Sequence, residues 1–155
     1  MSLNKIIIIF VLLLFLFGGF IFYQFGNKTT SKMKTSGKVT IGNQVFETEV
    51  VRSDKDKQIG LTKYSFIAPN QSMLFIFDQP GFYAFWMKGM KFPLDMIFIQ
   101  GETIVSFAEN VAPPANNTEP KTYAPESSAD KVLEINAGLV KKYNIKKGDK
   151  VKIQI

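Results

Sequence analysis

The pattern of apolar and polar residues divides the chain into an apolar start, a short polar connection and a long region of alternating runs. Residues 6–25 read IIIIFVLLLFLFGGFIFYQF and carry no charged side chain. An α-helix of about 20 residues spans a hydrocarbon core of roughly 30 Å. We therefore expect residues 1–25 to form a transmembrane anchor and residues 6–25 to contact the membrane directly.

A cleaved signal peptide and a buried soluble helix are the alternatives to an anchor. The apolar stretch is longer than the apolar region of most signal peptides, and no small-residue cleavage site follows it. Lysines flank it on both sides, but the very short N-terminal flank favours a cytoplasmic N-terminus. This arrangement predicts a single-pass protein of the cell membrane whose C-terminal domain is extracytoplasmic, with residues 26–37 as a basic tether.

Residues 38–155 contain short apolar runs that are typical of β-strands. The segment KVTIGNQVFETEVV alternates on both sides of Gly42-Asn43, which predicts a β-hairpin. Gly- and Pro-containing turns separate the further predicted strands, which are SMLFIF, YAFWM, LDMIFI, TIVSFA, KVLEINAG and DKVKIQI. Residues 111–130 include four prolines and few large apolar residues, which indicates a loop or flap.

Two short segments have helical features. One helix is expected over about residues 54–61, with Ser53 as its N-cap and Asp54 and Asp56 in its first turn. The segment GLVKKYN predicts the second helix. Many short strands and two short helices predict a mainly β (α+β) domain, a compact antiparallel sandwich or barrel-like structure that follows one transmembrane helix.

The composition excludes several kinds of chemistry. The chain has no cysteine and no histidine, which rules out thiol nucleophiles, thiolate metal sites and an imidazole general base. We expect no cofactor and no metal site. The net charge is +6, but the lysine-rich segment KKYNIKKGDKVK has one aromatic residue and no recognition motif, so a solvated face is favoured over nucleic-acid binding.

The segment FWMKGMKFPLDMIFI places Asp95 in a run of residues that is otherwise suited to burial. In a strand, alternate side chains share a face, so Asp95 is expected opposite Met96. A buried carboxylate requires a partner. Asp95 either pairs with Lys88 or caps the preceding KGMKFP turn, or it belongs to a pocket under the proline-rich loop. The candidate residues of that pocket are Trp86, Lys88, Asp95, Glu134 and Asn136.

Several of these segments together resemble a known family. IGL near residue 60, SMLFIF, FWMKGMKFPLDMIFI, VLEINAG and IKKGDKV occur in the order and spacing of domain-of-unknown-function family 192. The resemblance covers about residues 38–155. It implies a small β-rich domain, often exported or anchored, for which no activity is established.

Three functions remain open at this point. The first is a membrane-anchored, non-catalytic ligand-binding or interaction module with a polar and aromatic pocket. The second is a hydrolase of cell-envelope carbohydrate in which Asp95 and Glu134 act as a general acid and base, a mechanism that depends on the distance between the two carboxyl groups. The third is a purely structural component of the envelope.

Overall fold

A computed structural model describes residues 33–115 and 118–155. Seven of the strands in this part of the chain form one sheet, and two short strands form a separate pair. The order across the large sheet is β6 (Thr103–Val111), β5 (Leu94–Gln100), β8 (Ala129–Asn136), β3 (Gln71–Gly81), β2 (Gln44–Val51), β1 (Gly37–Ile41) and β9 (Val151–Gln154), and the short pair is β4 (Phe85–Trp86) with β7 (Thr122–Tyr123). Two short α-helices accompany them. The prediction of a mainly β domain with two short helices is confirmed for this part of the chain.

The predicted N-terminal hairpin is present. Strand β1 (Gly37–Ile41) pairs antiparallel with β2 (Gln44–Val51), and Ile41 lies opposite Gln44 across the turn. Gly42 has a φ of 56°, a conformation that glycine adopts without steric cost. The Gly42-Asn43 pair therefore closes the hairpin as its sequence predicts.

A helical crossover connects β2 to β3. Helix α1 (Asp54–Ile59) begins after Ser53, whose side chain accepts a hydrogen bond from the Asp56 backbone N–H, as predicted. A 3-10 turn (Gly60–Lys63) follows, and β3 (Gln71–Gly81) then runs parallel to β2. Two parallel strands need a crossover of this kind between them. Because β2 and β3 are parallel, the sheet is mixed rather than wholly antiparallel.

The remaining elements follow the predicted order, with two differences. Their bounds are β4 (Phe85–Trp86), β5 (Leu94–Gln100), β6 (Thr103–Val111), β7 (Thr122–Tyr123), β8 (Ala129–Asn136), α2 (Leu139–Lys142) and β9 (Val151–Gln154). The run YAFWM supplies only the two-residue strand β4. The proline-rich loop contains β7, which pairs antiparallel with β4 and so satisfies backbone groups of both segments outside the large sheet.

The two edge strands of the large sheet, β6 and β9, approach each other. Thr103, at the start of β6, forms a bridge with Lys150, just before β9. The Ile104 N–H donates to the Asp149 carbonyl at 3.0 Å, and the Gly148 N–H donates to the Ile104 carbonyl at 2.8 Å. The sheet is therefore curled into a half-barrel, the barrel-like alternative of the sequence prediction.

Side chains of the sheet form two apolar clusters, one on each face. Leu94, Met96 and Phe98 of β5 belong to the first cluster. Ile97 and Ile99 belong to the second. This division confirms the predicted alternation along β5, and it means that neighbouring residues of one strand lie in separate environments.

The packed region includes the described part of the segment predicted as a tether. Met33 is buried in the first cluster, and the Ser36 N–H donates to the Thr48 carbonyl at 2.8 Å. The predicted anchor, residues 1–25, lies outside the described residues. Among residues 33–115 and 118–155, no helix is long and apolar enough to cross a membrane.

Candidate ligand-binding site

A cavity of about 260 Å³ lies between the crossover and the end of β3. The α1 and 3-10 segments form one side of it, and β3 and the residues around β4 form the other. Five aromatic residues line it: Phe75, Phe77, Tyr83, Phe85 and Trp86. A concave, mainly aromatic cavity with a few polar groups is typical of small-molecule sites.

The aromatic walls pack against one another in fixed geometry. The Phe77 and Tyr83 rings are stacked with centroids 3.6 Å apart, and Phe75 and Phe85 meet edge to face at 5.0 Å. The Tyr83 hydroxyl donates to the Gln79 carbonyl at 2.7 Å, which holds the ring over the irregular end of β3. These contacts among the protein's own groups hold the walls of the cavity in place.

Glu134 provides the polar group at the floor of the cavity. Strand β8 lies between β3 and β5, so Glu134 is flanked by Met73 and Met96 on the neighbouring strands. The residue is 5% exposed, and what remains exposed faces the cavity. Its carboxyl group forms no hydrogen bond with the described residues, and its oxygens are accessible from the cavity rather than sealed in the interior. Burial raises its pKa from 4.5 to about 8.

Two lysines and one tryptophan lie at the mouth of the cavity. Trp86 is 55% exposed, and the Lys88 Nζ lies 5.6 Å from the centroid of its ring. On the opposite side, the Lys57 Nζ lies 4.6 Å from the centroid of the Phe77 ring. Cations at such distances are attracted to the ring faces. The mouth therefore combines apolar surface with positive charge.

Asp95 does not line this cavity. Its Oδ1 accepts a hydrogen bond from the Asn110 backbone N–H at 2.7 Å, and its Oδ2 accepts one from the Val140 N–H at 2.8 Å. Val140 lies in the first turn of α2, whose N-cap is Gly138 and has no side chain to act as an acceptor. Asp95 therefore caps a helix that is distant in sequence.

This geometry corrects two expectations for Asp95. Among the described residues it forms no ion pair with Lys88, and the backbone groups that it satisfies belong to β6 and α2 rather than to the KGMKFP turn. The physical reason is strand alternation, because Asp95 faces the second apolar cluster while Met96 and Glu134 face the first.

Asn136 is also used for structure. Its Nδ2 donates to the Ile67 carbonyl at 3.2 Å and to the Ala68 carbonyl at 3.1 Å. These bonds join the end of β8 to the loop before β3. Of the five predicted pocket residues, Trp86, Lys88 and Glu134 line one cavity, whereas Asp95 and Asn136 do not.

The proline-rich loop contributes to the site indirectly. None of its described residues lines the cavity, but Tyr123 of β7 pairs with Phe85, and Thr122 pairs with Trp86. The loop therefore supports the strand that carries two of the aromatic walls, rather than covering the cavity as expected.

Sequence reasoning missed the crossover side of the cavity, including Lys57 and Thr62, and the aromatic pair of β3. A signal for the latter existed, because Phe75 and Phe77 are two residues apart and share a face with Met73 in a strand. The sequence around α1 contains no signal that shows which strand the helix packs against. The described residues contain no group of three or more acidic side chains that could hold a metal ion.

Comparison with known proteins relates this chain to one family and to two solved structures. A family profile, DUF192, described as "Uncharacterized ACR", matches residues 37–153. A Novosphingobium aromaticivorans protein of unknown function is similar in structure, with a TM-score of 0.67 and 29% identity over 75% of this chain and 82% of that one. A putative transcription regulator from Sinorhizobium meliloti has a TM-score of 0.68 and 26% identity over 79% of this chain and 97% of that one. Comparison with curated proteins gives no significant match.

Proposed function

The chain belongs to the DUF192 family, and we propose that its β-rich domain is a non-catalytic binding module for a small, mainly apolar ligand. The ligand enters the aromatic cavity and meets the Glu134 carboxyl group at its floor. The single observation that carries this proposal is the Glu134 carboxyl group, which forms no hydrogen bond with the described residues and is buried except where it opens into an aromatic cavity.

Glu134 occupies a position that is unfavourable for an acid in the folded state. Burial of an acid without a hydrogen-bond partner destabilises a fold, and an apolar side chain of similar size would stabilise this position. Asp95, on the neighbouring strand, has two backbone partners, so the fold does supply partners for a carboxylate that serves stability. Glu134 therefore fits a role in recognition better than a role in folding.

The two alternative functions have less support. A hydrolase with paired carboxylates requires both acids to flank one scissile bond, whereas Asp95 and Glu134 face opposite sides of the sheet. A purely structural role leaves the partially exposed Trp86 and the open aromatic cavity without a purpose. A binding role accounts for both.

We further propose that residues 6–25 hold the domain on the extracytoplasmic side of the cell membrane. The support is the uncharged apolar sequence of that stretch, which is long enough to span a bilayer. A reporter fused after Ile155 tests the orientation. Activity of a reporter that functions only outside the cytoplasm is expected, and activity only in a cytoplasmic format contradicts the proposal.

Phenol is a suitable probe of the cavity because it is small, aromatic, uncharged and carries one hydroxyl group. Ligand-observed NMR with the full chain in mild detergent should show phenol binding. Ala84 is exposed and lines the cavity, so Ala84→Trp should fill the mouth and abolish the signal. Phe82→Trp is the matched control, because Phe82 is 66% exposed and does not line the cavity.

The outcome is decisive in both directions. Binding that is lost in Ala84→Trp and kept in Phe82→Trp supports a ligand pocket at this position. No binding by the natural sequence, or equal binding by both variants, contradicts the proposed function.

A further inference from the structure

The two ends of the cavity differ in charge. The floor holds Glu134, whose carboxyl group is protonated for the most part at neutral pH because its pKa is about 8. The mouth holds Lys57 and Lys88. At pH 7 the cavity is therefore an aromatic site with an uncharged acid inside and positive charge at its entrance.

Lys88 is the cation that remains available to a ligand. It is exposed and forms no ion pair with any of the described residues. Lys57 has an acidic neighbour, because its Nζ lies 3.5 Å from Asp54 Oδ1, but that aspartate side chain is 95% exposed and the pairing is correspondingly weak. Both ammonium groups already lie over aromatic rings.

This arrangement disfavours a cationic ligand. Such a ligand would pass two lysines, compete with them for the ring faces and require ionisation of a desolvated acid. An anionic ligand meets none of these obstacles, and its charged group would pair with Lys88 at the mouth.

On the basis of the proposed function, we infer that the cavity takes a small aromatic acid that lies with its carboxylate outward at Lys88 and a hydroxyl group inward at Glu134. The aromatic body packs between Phe75, Phe77 and Phe85. A protonated carboxyl group both donates and accepts a hydrogen bond, so it complements a hydroxyl group at the floor. A volume of 260 Å³ equals the liquid volume of about nine waters, which suits a molecule of about ten non-hydrogen atoms.

Four related probes separate these features. 4-Hydroxyphenylacetate, tyrosol and tyramine share one hydroxyphenyl body and end in an anionic, a neutral and a cationic group. Phenylacetate keeps the carboxylate and lacks the hydroxyl group. Isothermal titration calorimetry of the full chain in uncharged detergent at pH 7 and low salt should give the tightest binding for 4-hydroxyphenylacetate, about fivefold weaker binding for tyrosol and phenylacetate, and the weakest for tyramine.

Two lysine variants test the contact at the mouth. Lys88→Gln should weaken 4-hydroxyphenylacetate binding about fivefold and leave tyrosol binding unchanged, because only the acid uses the positive charge. Lys91→Gln is the matched control: Lys91 is exposed in the same turn and does not line the cavity, so this variant should change neither affinity.

The inner contact is tested at the floor. Glu134→Leu should remove the advantage of 4-hydroxyphenylacetate over phenylacetate while phenylacetate still binds. Retention of that advantage would show that the hydroxyl group does not meet Glu134 and would overturn the inferred orientation.

The inference and the proposed function fail in different ways. Equal affinities for 4-hydroxyphenylacetate, tyrosol and tyramine, or tightest binding of tyramine, would overturn the inference. The proposed function would still stand in that case if phenol binds the natural sequence and Ala84→Trp abolishes that binding. No binding of 4-hydroxyphenylacetate also overturns the inference. Only the absence of phenol binding, or its indifference to Ala84→Trp, removes the pocket itself.

Discussion

Asp95 and Glu134 are carboxyl groups on adjacent strands, and they are used in different ways. Asp95 is 0% exposed and accepts two backbone hydrogen bonds, from Asn110 and Val140. Glu134 is 5% exposed, with two methionines as its neighbours across the strands. Burial is therefore nearly equal, and the supply of hydrogen-bond donors is what distinguishes the two sites.

The difference shows how to separate acids that stabilise a fold from acids that are available for binding. Asp95 replaces the missing side-chain cap of α2 and links that helix to β5 and β6, so its desolvation is offset by charge-assisted hydrogen bonds. Glu134 accepts no hydrogen bond from the described residues that would offset its desolvation. Its raised pKa reflects the free-energy cost of ionising this buried group. Each of the following variants tests one side of this contrast.

The largest effect is expected from Asp95→Ala. Removal of the carboxylate leaves the Asn110 and Val140 N–H groups without an acceptor and opens a small cavity. We expect a loss of about 3 kcal/mol in the free energy of unfolding, measured by urea denaturation of the full chain in detergent. Asp95→Asn keeps the size of the side chain and one acceptor oxygen, and its loss should be smaller, about 1–3 kcal/mol. A loss below about 0.5 kcal/mol in Asp95→Ala would contradict the capping role.

Glu134→Gln should act in the opposite direction. The folded pKa of about 8 lies above the unfolded value of 4.5, so the folded state holds its proton more tightly. The stabilising effect of that proton is complete below pH 4.5 and is lost as the pH rises to about 8, at a rate of at most about 1.4 kcal/mol per pH unit. Glutamine does not titrate, so at pH 7 the variant should be about 1–3 kcal/mol more stable than the natural sequence.

The pH dependence provides the control for Glu134→Gln. The difference in unfolding free energy between variant and natural sequence should shrink as the pH is lowered from 7 through 4.5, because well below pH 4.5 the glutamic acid is protonated in both states. A constant difference over this range would show that the gain comes from packing rather than from removal of the free-energy cost of protonating Glu134 on folding.

The sequence predicts much of the fold because most of its strands have strong local signals. The Gly42-Asn43 turn, the Ser53 cap and the alternation along β5 each depend on neighbouring residues, and each is confirmed. The pairing of β7 with β4 depends on residues far apart in sequence, so no local pattern indicates it.

The candidate site was predictable only in part, for the same reason. Alternation along one strand places Trp86 and Lys88 on the same face, and it places the polar Glu134 opposite Leu133 and Ile135. Alternation does not show how the faces of different strands align, so the sequence alone groups Asp95 with these residues. That alignment is set by the pairing of Asp95 with Ile135 and of Met96 with Glu134, which only the structure reveals.

The smallest expected effect is the coupling between the two acids, and it is the sharpest test of their separation. Asp95 and Glu134 face opposite sides of the sheet and share no hydrogen-bond partner among the described residues. The stability changes of Asp95→Asn and Glu134→Gln should therefore add in the double variant, with an interaction energy of no more than about 0.5 kcal/mol. Substitutions in one shared network interact by about 0.5–3 kcal/mol. Urea denaturation of the two single variants and the double variant at pH 7 measures this term. A value above about 1 kcal/mol would mean that the two carboxyl groups influence each other through the sheet, and the distinction between a structural acid and a binding acid would no longer hold.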